Sequence, residues 1–220
     1  MIELSKKQRE KSEAVMDAAE ALFASYGYHA VSVRDITGLA KVRLATVNDL
    51  FGSKEKLFYE VIRRRASEVN EMREEGLSAI DTTASRDAQV KAIIAAFYDP
   101  LLEKSGESDG WRNYLRLVSQ MITSRSPILL SVIEFFNPIS QKFLMAIHQL
   151  YPEIDFARML RHWQFILTTY YSVFADNFRV NSLSQGKVQS SAFEENYREA
   201  TSFIHLGLQA LLGPTQINKP

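Results

Sequence analysis

The sequence of 220 residues has no cysteine. That excludes disulfides, thiolate zinc sites, iron–sulfur clusters and a cysteine nucleophile. It also has no excess of charge: 26 lysines and arginines stand against 26 aspartates and glutamates. A basic coat for nucleic acid is thereby excluded, and any DNA contact must come from a local patch. Long apolar runs are missing too. The uncharged apolar stretch between Arg161 and Asp176 falls short of the ~20 apolar residues that cross a bilayer, so no membrane contact is expected. Lys6, Lys7, Arg9 and Lys11 run into Glu13 and Asp17 with no apolar segment behind them, unlike a secretion signal. The chain reads as soluble and cytoplasmic. Glycine and proline are sparse, at 9 and 6, and no alternating β-branched run marks a strand. What remains is ordinary globular composition, 46% hydrophobic and 24% charged, in a chain long enough to bury a core.

Helical periodicity dominates. Residues 5–26 place Val15, Ala18, Ala19, Leu22, Phe23 and Tyr26 on one face, with Ser5 and Gln8 at capping-box spacing and Gly27 as the stop. Ser32 and Asp35 form a second capping box and open a short helix to about residue 39. A break at Ala40-Lys41-Val42 leads into another short helix over 43–50. Ser53 then caps a long helix to residue 76, with Leu57, Val61, Val69 and Met72 inward. Further helices are expected over 86–103, 111–124, 127–151, 154–181 and 191–212, the third kinked or broken at Pro138. The polar segment 181–190 reads as a mobile loop. The expected fold is all-α, a small N-terminal three-helix unit joined to a larger C-terminal helical domain.

Two short helices around a tight turn have the outline of a helix–turn–helix, whose second helix enters the major groove. Ile36, Ala40, Val42, Val47 and Phe51 supply an apolar seam, while Thr46 and Asn48 face outward. Lys41 and Arg43 sit at the turn without a nearby acid, where a phosphate would lie. Helical hairpins are common and usually structural, so the outline leaves both readings open. Residues 1–56 hold nine lysines and arginines against eight acids, a net of +1. Only the turn and the arm Lys6, Lys7, Arg9 are basic.

Further along, aromatic side chains alternate with polar ones. Tyr114, Gln120, His162, Phe165 and Thr169 are the candidate ligand-lining residues, because a cavity needs apolar walls and a few orienting polar groups. Taken singly, each such residue is more often a core or surface residue. On the last helix Phe193, Tyr197, Ala200, Ile204, Leu208 and Leu211 form one stripe, with Phe203 and Leu206 apolar outside it. A terminal helix apolar on more than one side needs a partner beyond one surface, and its own bundle or a second copy can supply it.

His29, His148, His162 and His205 share no metal-like spacing, so no metal and no cofactor are expected. Gly106-Glu107-Ser108-Asp109-Gly110 matches the hydrolase pattern G-x-S-x-G, but that chemistry needs a strand before the serine. Here a helix end precedes it, and Ser108 or Asp109 reads as the cap of the helix near Trp111. Gly186-Lys187 is followed by valine and makes no phosphate loop. No enzyme is expected.

The stretch Ala18-Ala19-Glu20-Ala21-Leu22-Phe23-Ala24-Ser25-Tyr26-Gly27-Tyr28, then Ser32-Val33-Arg34-Asp35-Ile36, Val47-Asn48 and Phe51-Gly52-Ser53-Lys54-Glu55-Lys56-Leu57 resembles the DNA-binding domain of the tetracycline-repressor (TetR) family over about residues 8–60. More distantly, residues 111–174, with Pro138 and Tyr151-Pro152-Glu153 among them, resemble the ligand domain of its fatty-acid-responsive branch. The resemblance implies a helix–turn–helix DNA-binding domain over 1–56 and a ligand-binding and dimerisation domain over 57–214. It implies a homodimeric transcriptional regulator of repressor type. Such a dimer holds a palindromic DNA operator and releases it when a small apolar, acyl-type effector enters the larger domain. The last two helices would form a four-helix dimer interface.

Residue by residue, Ser32, Thr46 and Lys54 match family positions that contact phosphate or brace the fold. Arg43, Leu44, Ala45 and Asn48 match turn and recognition-helix positions that approach base edges, with Lys41 beside them. The family usually has glycine where this chain has Lys41, and a positive φ there would cost a lysine on the order of 1 kcal/mol. It usually has tyrosine then histidine where this chain has Asp49 and Leu50. An aspartate there is repelled by phosphate, accepts from a cytosine amine, or pairs with Arg43 or Lys54. A helical small-molecule carrier or interaction protein without DNA activity is the other class these residues allow.

Overall fold

A computed structural model describes residues 5–212. Among these residues ten α-helices follow one another: α1 Lys6–Tyr26, α2 Val33–Leu39, α3 Ala45–Phe51, α4 Lys54–Ser78, α5 Arg86–Ser105, α6 Asp109–Ile122, α7 Asn137–Leu150, α8 Phe156–Phe174, α9 Arg179–Leu183 and α10 Phe193–Leu212. Two 3₁₀ turns, Pro127–Ser131 and Ile133–Phe135, precede α7, and no strand occurs among the described residues.

Local chemistry explains the helix starts. Ser5, Ser32, Ser53, Ser85 and Ser108 each accept the backbone N–H three residues on, and Asp155 does the same for α8. Each such cap is worth roughly 1 kcal/mol. Ser5 and Ser32 complete capping boxes with Gln8 and Asp35. Ser108 is therefore a helix cap in the hydrolase-like pentapeptide, held 3.3 Å from the Trp111 N–H.

Several expectations change. Pro138 breaks rather than kinks the helix expected over 127–151. It lies in the first turn of α7, where its missing N–H has no intrahelical partner to lose. α8 stops at Phe174, and Asp176 and Phe178 take left-handed φ values of 42° and 58° before the short α9. The segment expected to be mobile is hydrogen-bonded in place. Ser190 is buried and donates to Asp176 at 2.6 Å, while Asn181 accepts the Ser190 N–H at 2.9 Å. On α4, Met72 is half-buried and the inward position passes to Arg73. A proline inside α5, Pro100, leaves that helix intact in register.

The core is continuous from end to end. In the N-terminal unit Phe23 meets Phe58 edge-on at 5.5 Å. In the larger unit Phe97 is ringed by Tyr98, Phe143 and Trp163 at 4.8, 4.9 and 5.1 Å. α4 runs unbroken across residues 56 and 57 and contributes Leu57 and Phe58 to one part and Val69 to the other.

The two units are locked by a charged cluster. Glu20 of α1, 1% exposed, accepts from Nε and Nη2 of Arg65 on α4 at 3.1 Å each. The Arg65 guanidinium lies 4.6 Å from the Trp111 ring on α6. Gly110 makes room for it: a Cβ there would fall 2.5 Å from Arg65 Nη2. Neighbouring Arg64 pairs with Asp17 and Glu13 at 2.8 and 2.9 Å. Gln120 of α6 adds a bond to the Ala24 carbonyl at 2.8 Å.

Candidate functional site

α2 and α3 meet around Ile36 and Val47, both buried. The Val42 N–H donates to the Thr37 carbonyl at 3.0 Å and closes the turn between them. That turn puts Lys41 at φ 53°, in the left-handed region. α3 then presents one outward face. Arg43, Leu44, Ala45 and Asn48 are exposed on it and Thr46 is half-buried at its edge. Lys41 and Arg43 make no ion pair among the described residues. Asp49 is exposed on α3 and pairs with neither Arg43 nor Lys54.

Ser32 and Lys54 sit apart from this face. The Ser32 hydroxyl donates to Asp35 at 2.6 Å, and the same hydrogen bonds hold the exposed Asp35 carboxyl below the usual carboxylate range. Lys54 Nζ donates to the Tyr28 carbonyl at 2.6 Å and lies 4.1 Å from the Tyr28 ring. Burial pushes its pKa down, against the pull of Asp35. Both residues brace the fold.

In the larger unit, a cavity of about 290 Å³ opens among α4, α5, α6, the 3₁₀ turns, α7 and α8. Val118, Leu129, Phe136 and Leu167 form apolar walls, and Arg73 and Tyr171 are polar members of its lining. A larger hollow of about 710 Å³ near the end of α10 is walled by charged side chains, among them Arg86, Asp87 and Glu153. Apolar walls with few polar groups are what a small organic ligand requires, and the first cavity has them.

None of the five ligand-lining candidates lines that cavity. Tyr114 is buried against Trp111 in the core, its hydroxyl pKa pushed up by burial. His162 is buried with Nδ1 unpartnered, and burial with Arg158 and Arg161 lowers its pKa. Phe165 points outward, 59% exposed. Thr169 is half-buried and bonds its Oγ1 back to the Phe165 carbonyl at 2.8 Å. Gln120 lines a separate hollow between α1 and α8. Tyr114 and Gln120 lie on α6 and His162, Phe165 and Thr169 on α8, two helices that also border the cavity but with other faces, since α8 has apolar residues on two sides. Arg73 escaped the reading, since a cation in an apolar register is assigned outward from pattern alone; its i+4 spacing from Val69 was the signal.

The stripe on α10 also turns inward. Phe193, Tyr197, Ile204 and Leu208 are buried in the protomer's own core and Ala200 packs against it. Tyr197 donates to Asp99 of α5 at 2.6 Å, and burial together with that carboxylate pushes its pKa up. The Leu211 side chain lies outside the described residues. The large apolar side chains that α10 leaves exposed among the described residues are Phe203 at 70% and Leu206 at 67%.

Residues 15–61 match the family described as bacterial regulatory proteins, tetR family. Residues 95–207 match the tetracyclin repressor-like, C-terminal domain. No curated protein matches the chain. Among solved structures, the fatty acid degradation regulator FadR from Bacillus halodurans is similar at 16% identity and TM-score 0.59, over 93% of this chain and 99% of that one. FadR from Bacillus subtilis, in complex with stearoyl-CoA, is 16% identical with TM-score 0.57, over 89% and 98%. The regulator PfmR from Thermus thermophilus is 19% identical with TM-score 0.57, over 89% and 97%. At these identities the likeness is one of fold.

Proposed function

The chain belongs to the TetR family of bacterial regulatory proteins, and from that premise we propose that it is a ligand-responsive transcriptional repressor. As a homodimer it binds a palindromic DNA operator, and a small apolar, acyl-type effector releases it. The observation that carries this reading is the reach of α4. Its first residue, Lys54, holds the Tyr28 carbonyl in the loop that leads into α2, and its Arg73 forms part of the cavity wall. At 1.5 Å per residue the two lie about 28 Å apart along one rigid helix. A ligand that moves one end moves the other.

On DNA, Lys41, Arg43 and Thr46 meet phosphate, while Leu44, Ala45 and Asn48 approach base edges. Ser32 and Lys54 act by holding α2 and α3 in place. Two heads must stand roughly 34–36 Å apart to enter successive major grooves. Phe165, Phe203 and Leu206 supply the outward apolar face on which the second copy packs. The effector works only by preferring the conformer whose heads no longer match that spacing. The stearoyl-CoA bound by the Bacillus subtilis FadR supports an acyl-type effector.

The test is selection of genomic fragments by the purified protein at two salt concentrations. Enrichment of one palindrome, with affinity falling steeply as salt rises, is the expected result. No enrichment at low salt would sink the regulator reading and leave a helical carrier in its place.

A further inference from the structure

Arg73 is 2% exposed, in the middle of a helix that otherwise buries apolar side chains at that register. Its Nε donates to the Phe97 carbonyl at 2.8 Å, Nη1 to Asn70 Oδ1 at 3.1 Å and Nη2 to the Tyr171 hydroxyl at 3.4 Å. The Phe97 ring lies 3.9 Å from the guanidinium carbon. None of these partners carries a negative charge. No carboxylate pairs with Arg73 among the described residues.

Four other inward cations are matched by acids, whereas the partly buried Lys54 meets the Tyr28 carbonyl and ring. Arg64 and Arg65 meet Glu20, Lys104 meets Glu68 and Glu107, and Arg116 meets Asp176. An uncompensated buried charge costs several kcal/mol, so a purely structural residue at position 73 would be neutral. The carbonyl bond alone does not need a cation. Pro100 lies inside α5 and has no N–H to give the preceding turn, next to the Phe97 carbonyl; a neutral side-chain amide donates to that carbonyl as well as a guanidinium does.

Arg73 also has capacity to spare. A guanidinium has five N–H groups, and three have acceptors here. Tyr171 accepts from Arg73 and keeps its own proton to give. Both residues line the 290 Å³ cavity, whose other walls are mainly apolar. At roughly 30 Å³ for a water-sized group, that space holds about ten heavy atoms.

We infer that the cavity takes an organic acid. The whole acid has about ten heavy atoms: its apolar body lies among Val118, Leu129, Phe136 and Leu167, and its carboxylate lies against Arg73 and the Tyr171 hydroxyl. This rests on the ligand-responsive reading above and deepens it: the charged end of the effector sits on α4, the helix that carries the DNA-reading unit. A neutral alcohol, amide or ester of the same shape leaves the guanidinium unmatched.

The test measures binding of octanoate and 4-phenylbutyrate to the full chain by calorimetry without DNA, each beside its uncharged amide. At least one acid binds, at least ~10-fold more tightly than its amide, as expected for hydrogen bonds to a charged group. Arg73→Gln removes the acid preference and Arg73→Lys keeps part of it. Tyr171→Phe, which leaves the cavity walls in place, weakens the acid several-fold and its amide by less, because the hydroxyl donates more strongly to a carboxylate than to an amide oxygen. Equal binding of acid and amide, a preference that survives Arg73→Gln, or failure of both acids to bind would overturn the inference. If Arg73→Gln does not fold, Tyr171→Phe decides: an unchanged acid preference overturns it. A chain that binds the acids but selects no operator would refute the regulator reading alone. A chain that selects an operator but treats acid and amide alike would refute this inference alone.

Discussion

Replacing Lys41 by glycine separates two properties of one residue, its backbone conformation and its charge. Lys41 sits at φ 53° in the turn before α3. An L-residue in that region carries roughly 1–2 kcal/mol of strain from the clash of Cβ with the following carbonyl. Glycine removes the clash but has more freedom to lose on folding, roughly 0.5–1 kcal/mol. The side chain is exposed and makes no ion pair among the described residues. The turn's backbone bonds, Lys41 N–H to Gly38 at 3.3 Å and Val42 N–H to Thr37 at 3.0 Å, survive the change. The net expectation is a gain of about 0.5–1 kcal/mol, or a thermal midpoint about 1–4 °C higher for a chain of this size. DNA binding should move the other way. One lost phosphate contact lowers the salt slope by about 0.9. Lys41→Ala is the control: it keeps the Cβ and its strain but loses the same charge. Thermal unfolding and salt-dependent DNA titration of the three proteins test both halves. A glycine variant no more stable than the alanine variant would refute the strain argument, and an unchanged salt slope would refute the phosphate contact.

Four other outcomes are expected. Gly110→Ala drives a Cβ into Arg65 beside buried Glu20 and should cost about 1–3 kcal/mol in a denaturant titration; an unchanged midpoint would show that the cluster has slack. His162 is held below its ordinary pKa of about 6.5, so the unfolded chain takes up its proton first as pH falls. Stability should then drop below about pH 6.5, and His162→Gln should flatten that part of a thermal-midpoint profile. Phe203→Glu with Leu206→Glu should give a monomer in sedimentation and lose operator affinity, whereas Ile204→Ala should lower protomer stability by about 2–5 kcal/mol; a dimer that survives the double change would place the interface elsewhere. Arg43→Ala should weaken binding to all DNA sequences alike, while Asn48→Ala should change which base is preferred in a selected operator. The reverse pattern would exchange their roles.

The candidate DNA face was legible residue by residue because its determinants are close in sequence. Ser32 with Asp35, the Lys41 turn and the Val47 seam are set by neighbours within a few positions. The assignment of Lys54 was less complete, since its partner is the carbonyl of Tyr28, on another element. The cavity was legible only as a neighbourhood. Its apolar helices were found, but Phe165 turned outward and Arg73 turned inward. α8 and α10 each have two apolar sides, and periodicity cannot rank them.

Local interactions thus determined the all-helical character, the serine caps and the breaks at Gly27 and Gly52. Capping and periodicity act over three or four residues, and the chain displays them directly. Tertiary structure decided the rest. It placed the stripe Phe193, Tyr197, Ile204 and Leu208 against the protomer's own core and buried a cation at position 73. Those outcomes depend on which surfaces far apart in sequence are brought together, since a side chain is buried only when another element covers it.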